Sequence, residues 1–90
     1  MVTKAQWIEH KNILKQKREH HLEKLEKAES ERAKRIGEII KNYRLKSGED
    51  PYQWPVIQGY NRKVITHERV LEDIDMDIKL TQVLIDESEK

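Results

Sequence analysis

Charge is sorted along this chain in a way that limits how it can fold. Residues 31–47 hold six Lys or Arg against two acids, whereas residues 70–90 hold seven Asp or Glu against two Lys. Each run also carries apolar residues at helical spacing, so both are predicted to be amphipathic helices. The simplest arrangement folds the acidic helix back against the basic one. The sequence therefore predicts an all-α, coiled-coil-like antiparallel helical hairpin that forms a single domain over residues 1–90.

The first helix is predicted to span residues 4–46. Thr3 and Gln6 match the capping-box pattern at its start, in which each side chain satisfies a backbone amide. Gly48 follows the predicted end and supplies a plausible C-terminal stop. Apolar residues eleven apart predict a nearly straight seam along this helix. These seam residues are Leu14, Leu25 and Ile36.

The second helix is predicted over residues 64–87, after a connector at residues 47–63. Thr66 is its expected N-cap, although the helix could begin as early as Asn61. Asp50 and Pro51 can start a single turn, and Pro55 is expected to discourage any continuation of it. A helix of this length covers only about half of the first one, which leaves the arm from Lys4 to His21 without an intramolecular partner. The predicted inward stripe has 3-4-3-4 spacing. It consists of Leu71, Ile74, Ile78, Thr81 and Ile85.

Two sets of side chains outside that stripe are the predicted partner-binding residues. The connector aromatics either form a recognition tip or plug the open end of the hairpin by packing on Tyr43 and Val64. The second set lies on another side of the second helix, which a two-helix hairpin leaves uncovered. Together with the unpaired arm, these sets predict a protein partner and a homodimer. The residues are Tyr52, Trp54 and Tyr60 in the connector, and Met76, Leu80 and Val83 on the second helix.

Nucleic-acid binding is the alternative function. Lys11, Lys15 and Arg18 stand on one face of the first helix, and cations along a rigid helix can track phosphates. The competing interpretation is a solvated face, partly neutralised across the hairpin by the acids of residues 72–77. No groove-reading or RNP-type motif is present, and the net charge is only +1. A second basic cluster further along consists of Lys34, Lys41 and Arg44.

Other function classes lack their signatures in this sequence. With no cysteine, the chain has no disulfide and no thiolate for a metal or for catalysis. No two of its four histidines have i, i+4 spacing, so neither a metal nor another cofactor is predicted. No phosphate-binding loop, catalytic triad or zinc-protease motif is present, so no enzyme is expected. No stretch resembles a signal peptide or a membrane span, which makes the cytoplasm the expected location and a membrane partner unexpected.

These observations predict a non-enzymatic protein-binding hairpin. An adaptor, an assembly factor or an inhibitor of a larger protein machine would have this form, including the compact proteins that phages encode; a structural subunit of a particle is a third interpretation. A hairpin with a Trp near its bend superficially resembles the small secreted WXG proteins. The defining Trp-x-Gly is absent, because Trp54 is followed by Pro55 and the next glycine is Gly59. The resemblance therefore implies no function for this chain.

Overall fold

Two long helices account for most of the fold. The computed structural model describes residues 2–88, which form a rod of 65 × 19 × 15 Å. Helix α1 spans Lys4–Asn42 and helix α2 spans Pro55–Ser88, with a short 3₁₀ turn at Pro51–Gln53 between them. The helices pack side by side in opposite directions, and residues 2–88 contain no strand. The predicted all-α antiparallel hairpin is confirmed.

Helix α1 begins where the sequence predicts and ends earlier. The Gln6 amide donates to Thr3 Oγ1 at 3.2 Å and the Thr3 amide donates to Gln6 Oε1 at 2.8 Å, so both halves of the capping box form. The helix ends four residues before the predicted position, because the chain becomes extended at Tyr43 (φ −119°, ψ 137°). This bend brings Leu45 against a hydrophobic cluster at the closed end of the hairpin.

Local hydrogen bonds shape the connector between the helices. The Glu49 amide donates to the Lys46 carbonyl at 2.9 Å, closing a turn in which Gly48 has a φ of 82°. Glycine adopts this left-handed conformation without a steric penalty, as the third position of a type II turn requires. The Asp50 carboxylate then accepts the Tyr52 amide at 2.9 Å and caps the 3₁₀ turn. Gly48, which was predicted to end the first helix, therefore lies in a turn of the connector.

Helix α2 begins nine residues earlier than predicted. Pro55 occupies its first position, where a proline loses no hydrogen bond and its fixed φ suits the helix. The Trp54 carbonyl accepts the Ile57 amide at 2.9 Å, which closes the first turn. Thr66, the predicted N-cap, lies inside the helix and donates its hydroxyl to the Arg62 carbonyl at 2.8 Å. The predicted boundaries of the second helix and of the connector are therefore wrong.

Side-chain hydrogen bonds define one register between the helices. Helix α2 has 34 residues, roughly 51 Å at 1.5 Å per residue, and reaches back along almost all of α1. Three of the side-chain hydrogen bonds between the helices are spaced by seven or fourteen residues on each helix. They join Arg32 Nη1 to Asn61 Oδ1 at 2.9 Å, Arg18 Nε to Asp75 Oδ1 at 2.7 Å, and Lys11 Nζ to Gln82 Oε1.

This register corrects two predictions. The arm from Lys4 to His21 has an intramolecular partner after all, because Leu14 is buried and Arg18 is paired with Asp75. The acidic part of α2 lies beside this arm rather than beside residues 31–47. The pairing expected at Arg18 therefore forms, whereas the pairing expected for the basic run at residues 31–47 is not seen among the described residues. Both errors have one cause, which is the predicted start of α2. Because α2 begins at Pro55, each of its later residues lies nearer to the N-terminus of α1 than predicted.

The buried seam is thin and continuous. The inward stripe of α2 is confirmed, with Ile78 half-buried and its other members buried. The spacing on α2 is a heptad that begins at Ile57, in contrast to the eleven-residue repeat expected on α1. Ile57 is fully buried and forms the closed-end cluster with Ile36 and Ile39. Partly buried side chains packed against this cluster are Leu45, Trp54 and Tyr60.

Candidate interaction surfaces

Helix α2 carries a strip of apolar side chains on the side away from α1. Met76, Leu80 and Val83 are three or four residues apart and are 64%, 58% and 51% exposed. This spacing places them on one helical face, which a single packed neighbour cannot cover. We call these three residues the outer strip. Their exposure agrees with the sequence interpretation of this face.

The outer strip is surrounded by carboxylates. Five exposed acids of α2 lie within eight residues of Leu80, and Lys79 is the basic residue of this stretch. The register also places the exposed Ile13 of α1 at the level of Leu80. A surface that combines an apolar centre with a charged rim is typical of protein interfaces. The acids are Glu72, Asp73, Asp77, Asp86 and Glu87.

The connector aromatics divide between the two roles that the sequence left open. Trp54 is half-buried against the closed-end cluster, and its ring meets the Tyr43 ring edge-to-face with centroids 5.4 Å apart. Tyr60 is also half-buried against this cluster. Tyr52 remains 49% exposed. Trp54 and Tyr60 therefore pack as a plug, and Tyr52 is the aromatic residue available for a recognition tip.

Two histidines meet across the seam. The Nδ1 atoms of His21 and His67 are 3.3 Å apart, so one nitrogen must donate a proton and the other must accept it. The pKa of His21 is lowered by burial and, to a lesser degree, by the charges of His20, His67 and Lys24. Sequence reasoning missed this pair because a helix predicted to start at residue 64 has His67 in its first turn, with no partner assigned to it. In the part of the chain that the structure describes, no group of three or more His, Cys, Asp or Glu could hold a metal ion.

Two of the three candidate nucleic-acid contacts are engaged within the hairpin. Lys11 Nζ donates to Gln82 and Arg18 pairs with Asp75, so both side chains point along the seam toward α2. Lys15 is exposed. Of the three residues predicted to contact phosphates, Lys15 is therefore the one whose side chain is exposed and not bonded to α2.

A different set of lysines is exposed in the half of the hairpin near the connector. Lys24 and Lys27 of α1 and Lys63 of α2 line one open groove of about 370 Å³ between the helices. Lys34 lines the next groove, and Lys41 lies seven residues further along the same row of α1. We call these five residues the lysine face. Sequence reasoning noticed Lys34 and Lys41 but could not join them to Lys63, because that residue was placed in the connector.

Comparison with models of known protein families, with curated proteins and with solved structures found no match. No helix among residues 2–88 is long and apolar enough to cross a membrane. The surfaces of the hairpin itself are therefore the basis for inferring its function.

Proposed function

We propose that this chain is a non-enzymatic protein-binding hairpin that acts as an adaptor, an assembly factor or an inhibitor of a larger protein machine. The outer strip is the observation that carries the proposal. Its three large apolar side chains are each more than half exposed, although α2 has a continuous buried stripe on its other side. Exposed apolar patches of this kind, rimmed by polar residues, often mark protein-binding surfaces.

The charge around the outer strip indicates the chemistry of the partner. On α2 itself, five exposed carboxylates and one lysine flank the strip, so a complementary surface has an apolar centre and basic groups where it meets the acids of α2. A helix with Lys or Arg on both sides of an apolar stripe has this form. We therefore favour a different protein over a second copy of this chain as the occupant.

Homodimerisation is the alternative assembly, and its support is weaker than the sequence suggested. The arm that was expected to need a second copy is paired with α2. A two-fold contact through the outer strip would also bring acidic rims together, which costs association energy at low salt. A homodimer of this kind should therefore tighten as salt is added. Measuring the mass in solution at low and high salt tests this alternative directly.

The binding test uses one substitution on the outer strip and a matched one elsewhere. Leu80→Asp places a charge in the centre of the strip, whereas Ile65→Asp makes the same kind of change at an exposed site in the other half of α2. A protein captured by the wild-type chain should be purified and its affinity for both variants measured. We expect Leu80→Asp to abolish binding and Ile65→Asp to preserve it. Equal losses would mean that the strip is not the contact surface.

The connector contributes a second, smaller test. Trp54 is packed into the closed-end cluster, so its replacement would change both the fold and any contact. Tyr52 is exposed, and Tyr52→Ala should leave the helical content unchanged. Loss of partner affinity in Tyr52→Ala, with an unchanged thermal midpoint, would extend the binding surface to the connector.

A further inference from the structure

We propose that the lysine face binds the phosphate backbone of a nucleic acid, independently of the protein contact assigned to the outer strip. The lysine face comprises Lys24, Lys27, Lys34, Lys41 and Lys63, and all five side chains are exposed. The sequence considered nucleic acid mainly through Lys11, Lys15 and Arg18, with Lys34 and Lys41 in a second cluster. The structure moves the proposed surface to the connector half and adds Lys24, Lys27 and Lys63.

The acids of residues 72–77 lie beside the N-terminal arm of α1 and not beside Lys34 and Lys41. Arg18 is the residue of α1 that meets Asp75, and Lys34 lies sixteen residues further along the helix. At 1.5 Å per residue this is roughly 24 Å, well beyond a screening length of about 8 Å at physiological salt. The acidic segment of α2 therefore contributes little to the potential around Lys34.

The connector half also has an excess of positive charge. From residue 24 to residue 69 the chain has eleven Lys or Arg and seven Asp or Glu. Two of these acids, Glu31 and Glu38, lie between the lysines on α1, and Glu38 is paired with Arg35 at 2.9 Å. Lys63 lies over the Tyr60 ring with its Nζ 5.7 Å from the centroid, which holds this cation at the edge of the groove. The local charge balance therefore favours an anionic ligand.

The composition of this surface favours nucleic acid over an acidic protein. Lys27, Lys34 and Lys41 lie seven residues apart on one side of α1. The same row contains His20 and no apolar residue between positions 20 and 41. Protein interfaces usually have an apolar centre, whereas nucleic-acid interfaces are polar and strongly basic. A straight row of cations on a rigid helix can contact successive phosphates without reading bases. We therefore expect binding that depends on the backbone and not on the base sequence.

The test measures binding of a fluorescent 20-base-pair DNA duplex, and of a single strand of equal length, across a salt series. If all five lysines contact duplex phosphates, the logarithm of the association constant should fall against log salt with a slope of about −4.5. The double variant Lys27→Gln, Lys34→Gln should reduce this slope by about 1.8. Circular dichroism should show that its helices are intact, because both side chains are exposed.

A matched double variant distinguishes loss of the lysine face from loss of net positive charge. Lys15→Gln with Lys79→Gln removes the same charge from exposed sites outside the lysine face. We expect this control to stay within about twofold of wild type, since remote charges contribute little through screening. Equal losses in both double variants, or no salt-dependent binding by wild type, would overturn the proposal. Tighter binding of polyglutamate than of a duplex of equal charge would assign the surface to an acidic protein instead.

Discussion

Arg18 Nε lies 2.7 Å from Asp75 Oδ1, and this ion pair joins the terminal half of α1 to the acidic part of α2. The Lys11 contact with Gln82 lies one heptad away on both helices. Because the seam itself is thin, these polar pairs distinguish the observed register from one displaced by a helical turn. A displacement by one helical turn would move Asp75 away from Arg18, and Gln82 away from Lys11, by roughly 5 Å along the rod.

We expect the pair formed by Arg18 and Asp75 to fix the register of the two helices and to contribute little to the free energy of unfolding. The two side chains are 41% and 48% exposed, so truncating either should cost no more than about 1 kcal/mol. Arg18→Asp alone places two carboxylates together and should lower the thermal midpoint, and adding Asp75→Arg should recover it. Reversing Arg35 and Glu38, a pair within α1, should show no coupling between the helices. Urea unfolding of the single and double variants measures both effects.

Acidification should destabilise the hairpin through His21. Its pKa in the fold is lowered by burial and by the nearby His20, His67 and Lys24, so the unfolded chain binds more protons near pH 6.5. The stability that neutral His21 contributes is therefore present above that pH and is lost as the pH falls. Urea unfolding at pH 7.5 and pH 5.5 should show the loss in wild type and in His10→Gln, and a smaller loss in His21→Gln. An equal dependence on pH in His21→Gln would contradict this assignment.

Two glycines should respond to alanine with opposite signs. Gly37 lies within α1, and a Cβ added there would have no heavy atom within 4 Å. Gly37→Ala should therefore raise the free energy of unfolding by about 0.5–1 kcal/mol. Gly48 has a φ of 82°, and Gly48→Ala should destabilise by about 1 kcal/mol despite equally open space. Thermal unfolding of both variants compares these effects. A stabilised Gly48→Ala would mean that the turn differs from the one described.

The closed-end cluster should contribute strongly to the free energy of unfolding, although it contains only three buried residues. Ile57 is fully buried, and Ile57→Ala should cost about 2–4 kcal/mol through lost burial and the remaining cavity. Ile65 is 46% exposed on the same helix, and Ile65→Ala should change stability by no more than about 0.5 kcal/mol. Similar losses in the two variants would place the start of α2 later than Pro55, because Ile57 would then lie in the connector.

Much of this architecture could be predicted from the sequence, because hydrophobic spacing reports the buried side of a helix directly. The capping box at Thr3 and the inward stripe from Leu71 to Ile85 are examples. The start of α2 was missed because Pro55 was interpreted as a helix breaker, although proline also suits a first helical position. A signal was present: Ile57, Val64, Leu71, Ile78 and Ile85 are spaced by seven residues.

The surfaces were harder to predict than the fold, because they depend on register. Exposure of the outer strip follows from the period of one helix and needs no partner. The positions of Lys11 and Arg18 depend on which residues of α2 lie opposite, and a nine-residue error in its start changes every pair. The same error hid the grouping of Lys63 with Lys24 and Lys27 and the contact between the histidines.

Both proposed surfaces require that α2 returns along α1 in the observed register, and crosslinking tests this most directly. The chain has no cysteine, so pairs can be introduced cleanly at contacting and displaced positions. We expect a short bis-maleimide to join Lys11→Cys with Gln82→Cys within one chain. It should not join Lys11→Cys with Asp75→Cys, which lies roughly 10 Å further along the rod. Equal crosslinking of both pairs, or products that form only between chains, would contradict the hairpin described above.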